Sequence, residues 1–171
     1  SFSAYPGEIT LLIGVSGSGK STILSIASGL QKQDSGTVLL GNEAPKAGEV
    51  GFSFQESRSQ LFADTVLEDV MFGPKATGCS SKKAKKLAVE SLDLVGLGEE
   101  FYPRSPFSLS GGQARLASLA GVIALEPKAF CFDEPTAGLD NFGRRRFFNI
   151  LQSLLKKEVP ILVVSHDLDD F

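Results

Sequence analysis

The chain has 171 residues, 42% of them hydrophobic, with a formal net charge of −3 and a mean hydropathy of +0.07. That bounds one domain of ordinary size with material for a core, and the acidic balance argues against a nucleic-acid surface as its main business. Cys79 and Cys131 make neither a disulfide framework nor a zinc site, and no apolar run nears the roughly 18 residues of a membrane span.

The chain begins at Ser1 without a methionine and stops at Phe171 after a charged turn, so both ends read as cut. Glu8 to Ile13 is β-rich and apolar, as a buried strand should be. Gly14 to Ser21, Gly-Val-Ser-Gly-Ser-Gly-Lys-Ser, has the phosphate-loop spacing. Ser21 to Leu30 has helical spacing, with Ile23, Ile26, Ala27 and Leu30 on one stripe. Strand, glycine loop and helix form the context that this motif needs. Gly14, Gly17 and Gly19 permit positive φ and let backbone N–H groups close around an anion at a helix start. Lys20 offers a full charge for β- and γ-phosphates, and the Ser21 hydroxyl is a ligand for Mg²⁺.

Thr37 to Leu40 predicts a strand, Gly41-Asn42 a turn, and Val50 to Phe54 another strand. Gln55 follows at a carboxyl end, the edge where open α/β sheets hold ligands, within reach of a metal. Thr65 to Glu68 is a capping box opening a helix through Leu67, Val70 and Met71, which Gly73-Pro74 ends. A second helix covers Ser81 to Val95, with Ala84, Leu87, Ser91 and Leu94 on one face. Its Lys82, Lys83, Lys85 and Lys86 read as a solvated face, with lipid headgroups or an acidic partner as the alternative. Leu109-Ser-Gly-Gly-Gln113 leads into an apolar helix from Ala114 to Leu125, and Ser-Gly-Gly at a helix start is a second anion site.

Ala129 to Phe132 is a buried-type strand ending in Asp133-Glu134. In a phosphate-loop protein Asp133 would hold the Mg²⁺ water shell and Glu134 would polarise the attacking water. A loop from Pro135 to Asp140 precedes a helix at about 144–156. The strand Ile161 to Val164 then delivers Ser165-His166-Asp167, putting the only histidine at the edge that holds Gln55, Asp133 and Glu134.

This set of motifs resembles the ATP-binding-cassette nucleotide-binding domain over nearly the whole chain. The phosphate loop, a Q-loop at Gln55, the signature Leu109 to Gln113, Asp133-Glu134, a D-loop at Ala137 to Asp140 and a switch His166 stand in the family's order. The resemblance implies an α/β fold: a P-loop NTPase with a mostly parallel core sheet and an inserted α-helical subdomain. Residues 1–55 and 115–171 would form the ATP-binding core, incomplete at both ends, and residues 56–114 the helical subdomain. It implies ATP and Mg²⁺ as cofactors, with nucleotide contacts from Gly14, Ser16, Gly17, Ser18, Gly19, Lys20, Ser21, Thr22, Gln55, Ser110, Gly111, Gly112, Gln113 and Asp140. Mg²⁺ would be bound through Ser21, Gln55 and Asp133. Glu134, His166, Gln55 and Lys20 would carry the hydrolysis, with Glu134 as base and His166 touching the γ-phosphate.

The same resemblance implies two domains packed head to tail, each ATP lying between Lys20 of one subunit and Ser110, Gly111 and Gly112 of the other. Asp140 would couple the two sites. Gln60-Leu-Phe-Ala63, Thr65-Val, Glu68-Asp-Val70, Phe72-Gly-Pro74, Arg104-Ser-Pro106 and Ala137-Gly-Leu-Asp140 look like the ATPase subunits of energy-coupling-factor and cobalt/nickel-type importers. Partners would be a second nucleotide-binding subunit, identical or related, and an integral membrane coupling subunit, with no nucleic acid. The place would be the cytoplasmic face of the cell membrane.

Three departures stand out. The family's adenine-stacking aromatic, normally upstream of the first strand, and the strands expected after the switch histidine would be missing from this chain, and Leu116 stands where Arg is common, with Arg115 one place earlier. Two other readings compete: a cassette protein of repair, chromosome or translation type, and a nucleotide-gated binding module without turnover. Gln55 and Ser110 are 55 positions apart, room for a compact subdomain and no coiled-coil arm. Retention of Lys20, Asp133, Glu134 and His166 favours turnover.

Overall fold

In the computed structural model, which describes residues 1–15, 17–46, 48–54 and 60–166, apolar segments pair side by side as a parallel sheet. Its strands among the described residues are β1 (Ile9–Ile13), β2 (Val50–Ser53), β3 (Ala129–Asp133) and β4 (Ile161–Ser165), in the spatial order β1-β4-β3-β2. The register sets Ile13 beside Ser165, Asp133 beside Val164 and Ser53 beside Phe132. All four carboxyl ends therefore fall on one edge, the place where such sheets carry their ligands. By its internal contacts the chain divides into two compact units. The first comprises Ser1–Gln55, Pro127–Gly138 and Leu151–Phe171, and the second Glu56–Glu126 and Leu139–Ile150.

The first unit holds the sheet and α1 (Lys20–Ala27). Every residue of β3 and β4 is buried, the pattern of parallel strands covered on both faces. Leu24 of α1 is fully buried against Phe52, Cys131, Leu162 and Val164, with Leu12, Ala27 and Val50 at the margin. The sequence stripe through Ile23 and Leu30 is not the buried one: these two are 39% and 59% exposed. The helix ends at Ala27, Gly29 turns with φ 75°, and the N–H groups of Leu30 and Gln31 donate back to the Ser25 carbonyl. Leu30 therefore lies beyond the helix, and the stripe turns one position to Leu24. Cys131 is the small core residue its apolar run predicts. Burial pushes its thiol up to about 12, which leaves it inert.

The strand expected at Thr37 to Leu40 does not form. An isolated antiparallel bridge joins Leu40 to Glu43 across the Gly41-Asn42 turn, and Leu39 is 58% exposed. A two-stranded ribbon with no covered apolar face does not sustain a ladder.

The second unit packs α2 (Val66–Ala76), α3 (Ser81–Val95) and α4 (Gly111–Ala124) against one another and includes the first turns of α5 (Asn141–Leu155). Thr65 caps α2, its hydroxyl accepting from the Glu68 N–H at 3.2 Å and donating to the Glu68 carboxylate at 2.9 Å. The first-turn N–H groups of Val66 and Leu67 donate to the carbonyls of Arg104 and Tyr102, so the helix start leaves few orphans. Contrary to expectation, α2 continues through Gly73-Pro74. Pro74 forfeits only the bond to the Val70 carbonyl, its ring is buried, and the helix stops two residues later. A Cβ at Gly73 would lie 2.8 Å from Leu125 Cδ2, so a larger residue there makes that side chain shift.

The sequence places the bounds of α3 correctly, but its contact face is made by Ala84, Ala88, Ser91, Leu92 and Val95. Leu87 and Leu94 sit at the rim. Small residues on α3 let it approach α4, which is buried nearly all round.

At the end of α3, Gly96 takes φ 68°, and Arg146 Nη2 of α5 donates to its carbonyl at 2.8 Å. A Cβ on residue 96 would lie 1.3 Å from that nitrogen. Gly96→Ala thus combines left-handed strain with loss of a charged hydrogen bond, roughly 2–4 kcal/mol together. Urea titration is expected to show that loss, and Arg146→Ala added to Gly96→Ala should cost little more, because the two changes remove one interaction. An unchanged midpoint for Gly96→Ala would refute this reading.

Candidate nucleotide-binding site

The loop between β1 and α1 is shaped by its glycines in two ways. Gly17 and Gly19 take φ 80° and 87°, with open space where a Cβ would sit, so they supply backbone conformation. Gly14 does not take positive φ; a Cβ there would come within 3.0 Å of Ser18 Oγ, so its role is close approach. Lys20 Nζ donates to the carbonyls of Gly14 at 2.6 Å and Val15 at 3.0 Å. The ammonium thus lies folded over the loop that it closes. Gly17, Ser18, Ser21 and Thr22 are exposed around the start of α1, and Ser16 lies outside the described residues.

Asp133 ends β3 with 9% exposure, and its Oδ1 is buried with no hydrogen-bond partner among the described residues. A buried, unpaired carboxylate oxygen is costly. That oxygen and the exposed hydroxyl of Ser21 are both hard-oxygen donors of the kind Mg²⁺ takes, an ion that keeps waters and phosphates as its other ligands. Among the described residues no group of three or more His, Cys, Asp or Glu is placed to hold a metal ion.

Glu134 takes φ 48°, a left-handed conformation uncommon outside glycine and strained by the order of 1 kcal/mol. Its N–H donates to the Val164 carbonyl at 3.0 Å, and its carboxylate lies 2.8 Å from His166 Nδ1. The His166 ring is 63% exposed and the Glu134 side chain 13%. Glu134 and His166 are therefore in contact at the edge to which β3 and β4 deliver them. Gln55 lies outside the described residues.

In the second unit Ser110 caps α4 in a closed capping box. Its hydroxyl accepts from the Gln113 N–H at 3.3 Å, and Gln113 Oε1 accepts from the Ser110 N–H at 3.0 Å. Gly111 and Gly112 have nothing within 4 Å of a would-be Cβ, so their backbone stays open to an approaching group. Asp140 Oδ1 accepts from the Gly143 N–H at 2.7 Å, holding the start of α5. Sequence reasoning missed that cap, although Asp at the first position of Asp-Asn-Phe-Gly is a legible signal. It also missed the Glu134–His166 contact and the strained Glu134 backbone, for which a linear sequence carries no signal. Arg115, one place before Leu116, is partly buried, and burial lowers its pKa.

The family model described as ABC transporter matches residues 1–137. The chain belongs to the ABC transporter family. Within that family it is 44% identical over 172 residues to the energy-coupling factor transporter ATP-binding protein EcfA2 of Streptococcus agalactiae, a match covering 94% of this chain and 61% of the relative. The chain thus spans about three-fifths of the length of the curated relatives it matches. Among solved ABC structures it resembles cbiO1 from Clostridium perfringens, part of the ABC transporter complex cbiONQ, with a TM-score of 0.83 and 32% identity over 96% of this chain and 69% of that one. It also resembles the ATP-binding cassette MJ0796 in a dimeric post-hydrolysis state bound to ADP and Pi. There the TM-score is 0.86 and the identity 30%, over 99% and 79% of the two chains. The parallel α/β architecture is that of ABC ATPases. Among the described residues no helix is long and apolar enough to cross a membrane.

Proposed function

We propose that this chain binds and hydrolyses ATP as the nucleotide-binding subunit of a membrane importer of the energy-coupling-factor type, powering uptake of a small solute of vitamin or metal-ion class. The observation that carries this reading is the Glu134 carboxylate held 2.8 Å from His166 at the sheet edge that also delivers the phosphate loop. A carboxylate strained into place at a ligand edge, in a family of ATP-driven transporters, is suited to turnover rather than to binding alone.

In this reading the Lys20 ammonium exchanges the carbonyls of Gly14 and Val15 for the β- and γ-phosphates, while N–H groups of residues 14–19 and the exposed Ser18, Ser21 and Thr22 line the rest. Ser16 would also contact the nucleotide. Ser21, Gln55 and, through water, Asp133 would hold magnesium, which would offset charge on the β- and γ-phosphate oxygens. Glu134 takes the proton of a water whose oxygen bonds to the γ-phosphorus as the bond to the bridging oxygen breaks. His166 orients Glu134 and touches the γ-phosphate. The unpaired Asp133 oxygen gains a partner only when the site is loaded, which would make loading stabilise the fold.

Residues 1–55 and 115–171 act as the ATP-binding core in this reading, and residues 56–114 as the helical subdomain that presents the signature. The second phosphate-binding half comes from Ser110, Gly111, Gly112 and Gln113 of another nucleotide-binding subunit, identical or related, with Asp140 coupling the two sites. The pair works on an integral membrane coupling subunit at the cytoplasmic face. The shared-site arrangement is tested with Ser110→Arg, whose bulk and charge would fill the partner's γ-phosphate position. Each subunit should still bind ATP with unchanged affinity, while phosphate release falls to background. Undiminished hydrolysis would sink the shared site, and loss of ATP binding would mean that the signature belongs to the subunit's own site.

A further inference from the structure

Residues 70–89 contain five lysines, Lys75, Lys82, Lys83, Lys85 and Lys86, and no acidic residue. That stretch carries +5 in a chain of net charge −3, so the remaining residues carry −8. All five side chains are exposed. A four-residue connection joins the end of α2 to the start of α3, which gathers the five cations at one end of the helix pair.

This placement works against the helix that bears it. Cations at a helix N-terminus oppose the macrodipole, and the first turn of α3 holds no acidic residue to offset them. Lys82 and Lys86 are four positions apart, and Lys82–Lys85 and Lys83–Lys86 three apart, spacings at which like charges repel on a helix surface. Of these lysines, Lys86 pairs with Glu90 at 3.7 Å, both ends well exposed. Capping by Ser80, through the Lys83 N–H, is the local compensation. A cluster that breaks several local rules at once points to a task outside the fold.

We infer that the amino end of α3, together with Lys75, docks on an anionic lipid surface. The inference rests on the reading of this chain as a membrane importer's subunit, which would bring it to the negatively charged cytoplasmic leaflet. Around α3 the four lysines span an arc of about 160°, opposite the buried Ala84, Ala88 and Val95. That arrangement offers a broad field and not a groove that would grip an extended acidic peptide. Lysine suits a field of headgroups, being a compact, hydrated point charge on a long stem, whereas the planar guanidinium fork suits discrete carboxylates. All five are lysines.

The test is sedimentation of the full-length protein with vesicles of phosphatidylcholine alone, or with about one-third phosphatidylglycerol. Binding should require the anionic lipid and weaken as salt rises. Replacing Lys82, Lys83, Lys85 and Lys86 by Gln should reduce it by roughly a hundredfold or more, with ATP affinity unchanged. Replacing Lys32, Lys156 and Lys157 by Gln should leave binding nearly intact. Equal binding to both vesicle types, or equal losses in the two variants, would overturn the inference. So would binding to poly-glutamate but not to vesicles. ATP hydrolysis, followed in the same preparations, separates the two readings: an active ATPase that ignores anionic vesicles fails this inference alone, and an inactive one fails the proposed function.

Discussion

Replacing Lys20 by alanine is expected to weaken ATP binding by two orders of magnitude or more while leaving the fold in place. Its Nζ makes two hydrogen bonds, to the carbonyls of Gly14 and Val15, and both belong to the loop that must open onto the phosphates. No core residue depends on them. In the bound state the same nitrogen would give charge-assisted bonds to phosphate oxygens, each worth about 1.5–3 kcal/mol. Losing two such bonds is roughly 3–6 kcal/mol, where each 1.4 kcal/mol is a decade of affinity. Calorimetric titration with ATP should show that loss, with the thermal midpoint of the unliganded protein nearly unchanged. An unaltered affinity would contradict the phosphate-loop assignment.

The second large effect is expected from Glu134→Gln, which should cut phosphate release by roughly a hundred- to ten-thousandfold while sparing ATP binding. The substitution keeps the size and an oxygen that can face His166, so the 2.8 Å contact and the left-handed backbone are retained. What is lost is basicity toward water. His166→Ala should act differently, releasing the Glu134 side chain and lowering turnover without removing the base itself. Single-turnover measurement of phosphate release separates the two. Hydrolysis by Glu134→Gln at the wild-type rate would remove Glu134 from the reaction.

Much of this architecture is legible in the linear sequence because period and punctuation agree there. The strands at Ile9, Val50, Ala129 and Ile161 are short apolar runs between turn signals, and the bounds of α3 follow from Ser80 and Gly96 as cap and stop. The errors share a cause. Thr37 to Leu40 has a strand's composition but finds no packed face. Pro74 signals a stop, but burial of its ring near the end of α2 offsets one lost hydrogen bond. The buried face of α1 falls on Leu24 because tertiary packing, not the local stripe, chooses the angle. At the candidate site, sheet order explains why Asp133, Glu134 and His166 come to one edge. The direct Glu134–His166 contact and the orphaned Asp133 oxygen depend on backbone angles and burial, which a motif does not encode.

The shared site is the central claim, and the mass of the Glu134→Gln protein in solution tests it most directly. Removing the base should trap the ATP-loaded closed state, with each ATP gripped by the phosphate loop of one subunit and Ser110 to Gln113 of the other. Light scattering on the full-length variant, alone and mixed with a related nucleotide-binding subunit, should report one subunit's mass without nucleotide and two subunits' mass once ATP and Mg²⁺ are added. A protein that binds ATP yet keeps the mass of one subunit under both conditions would contradict the shared site.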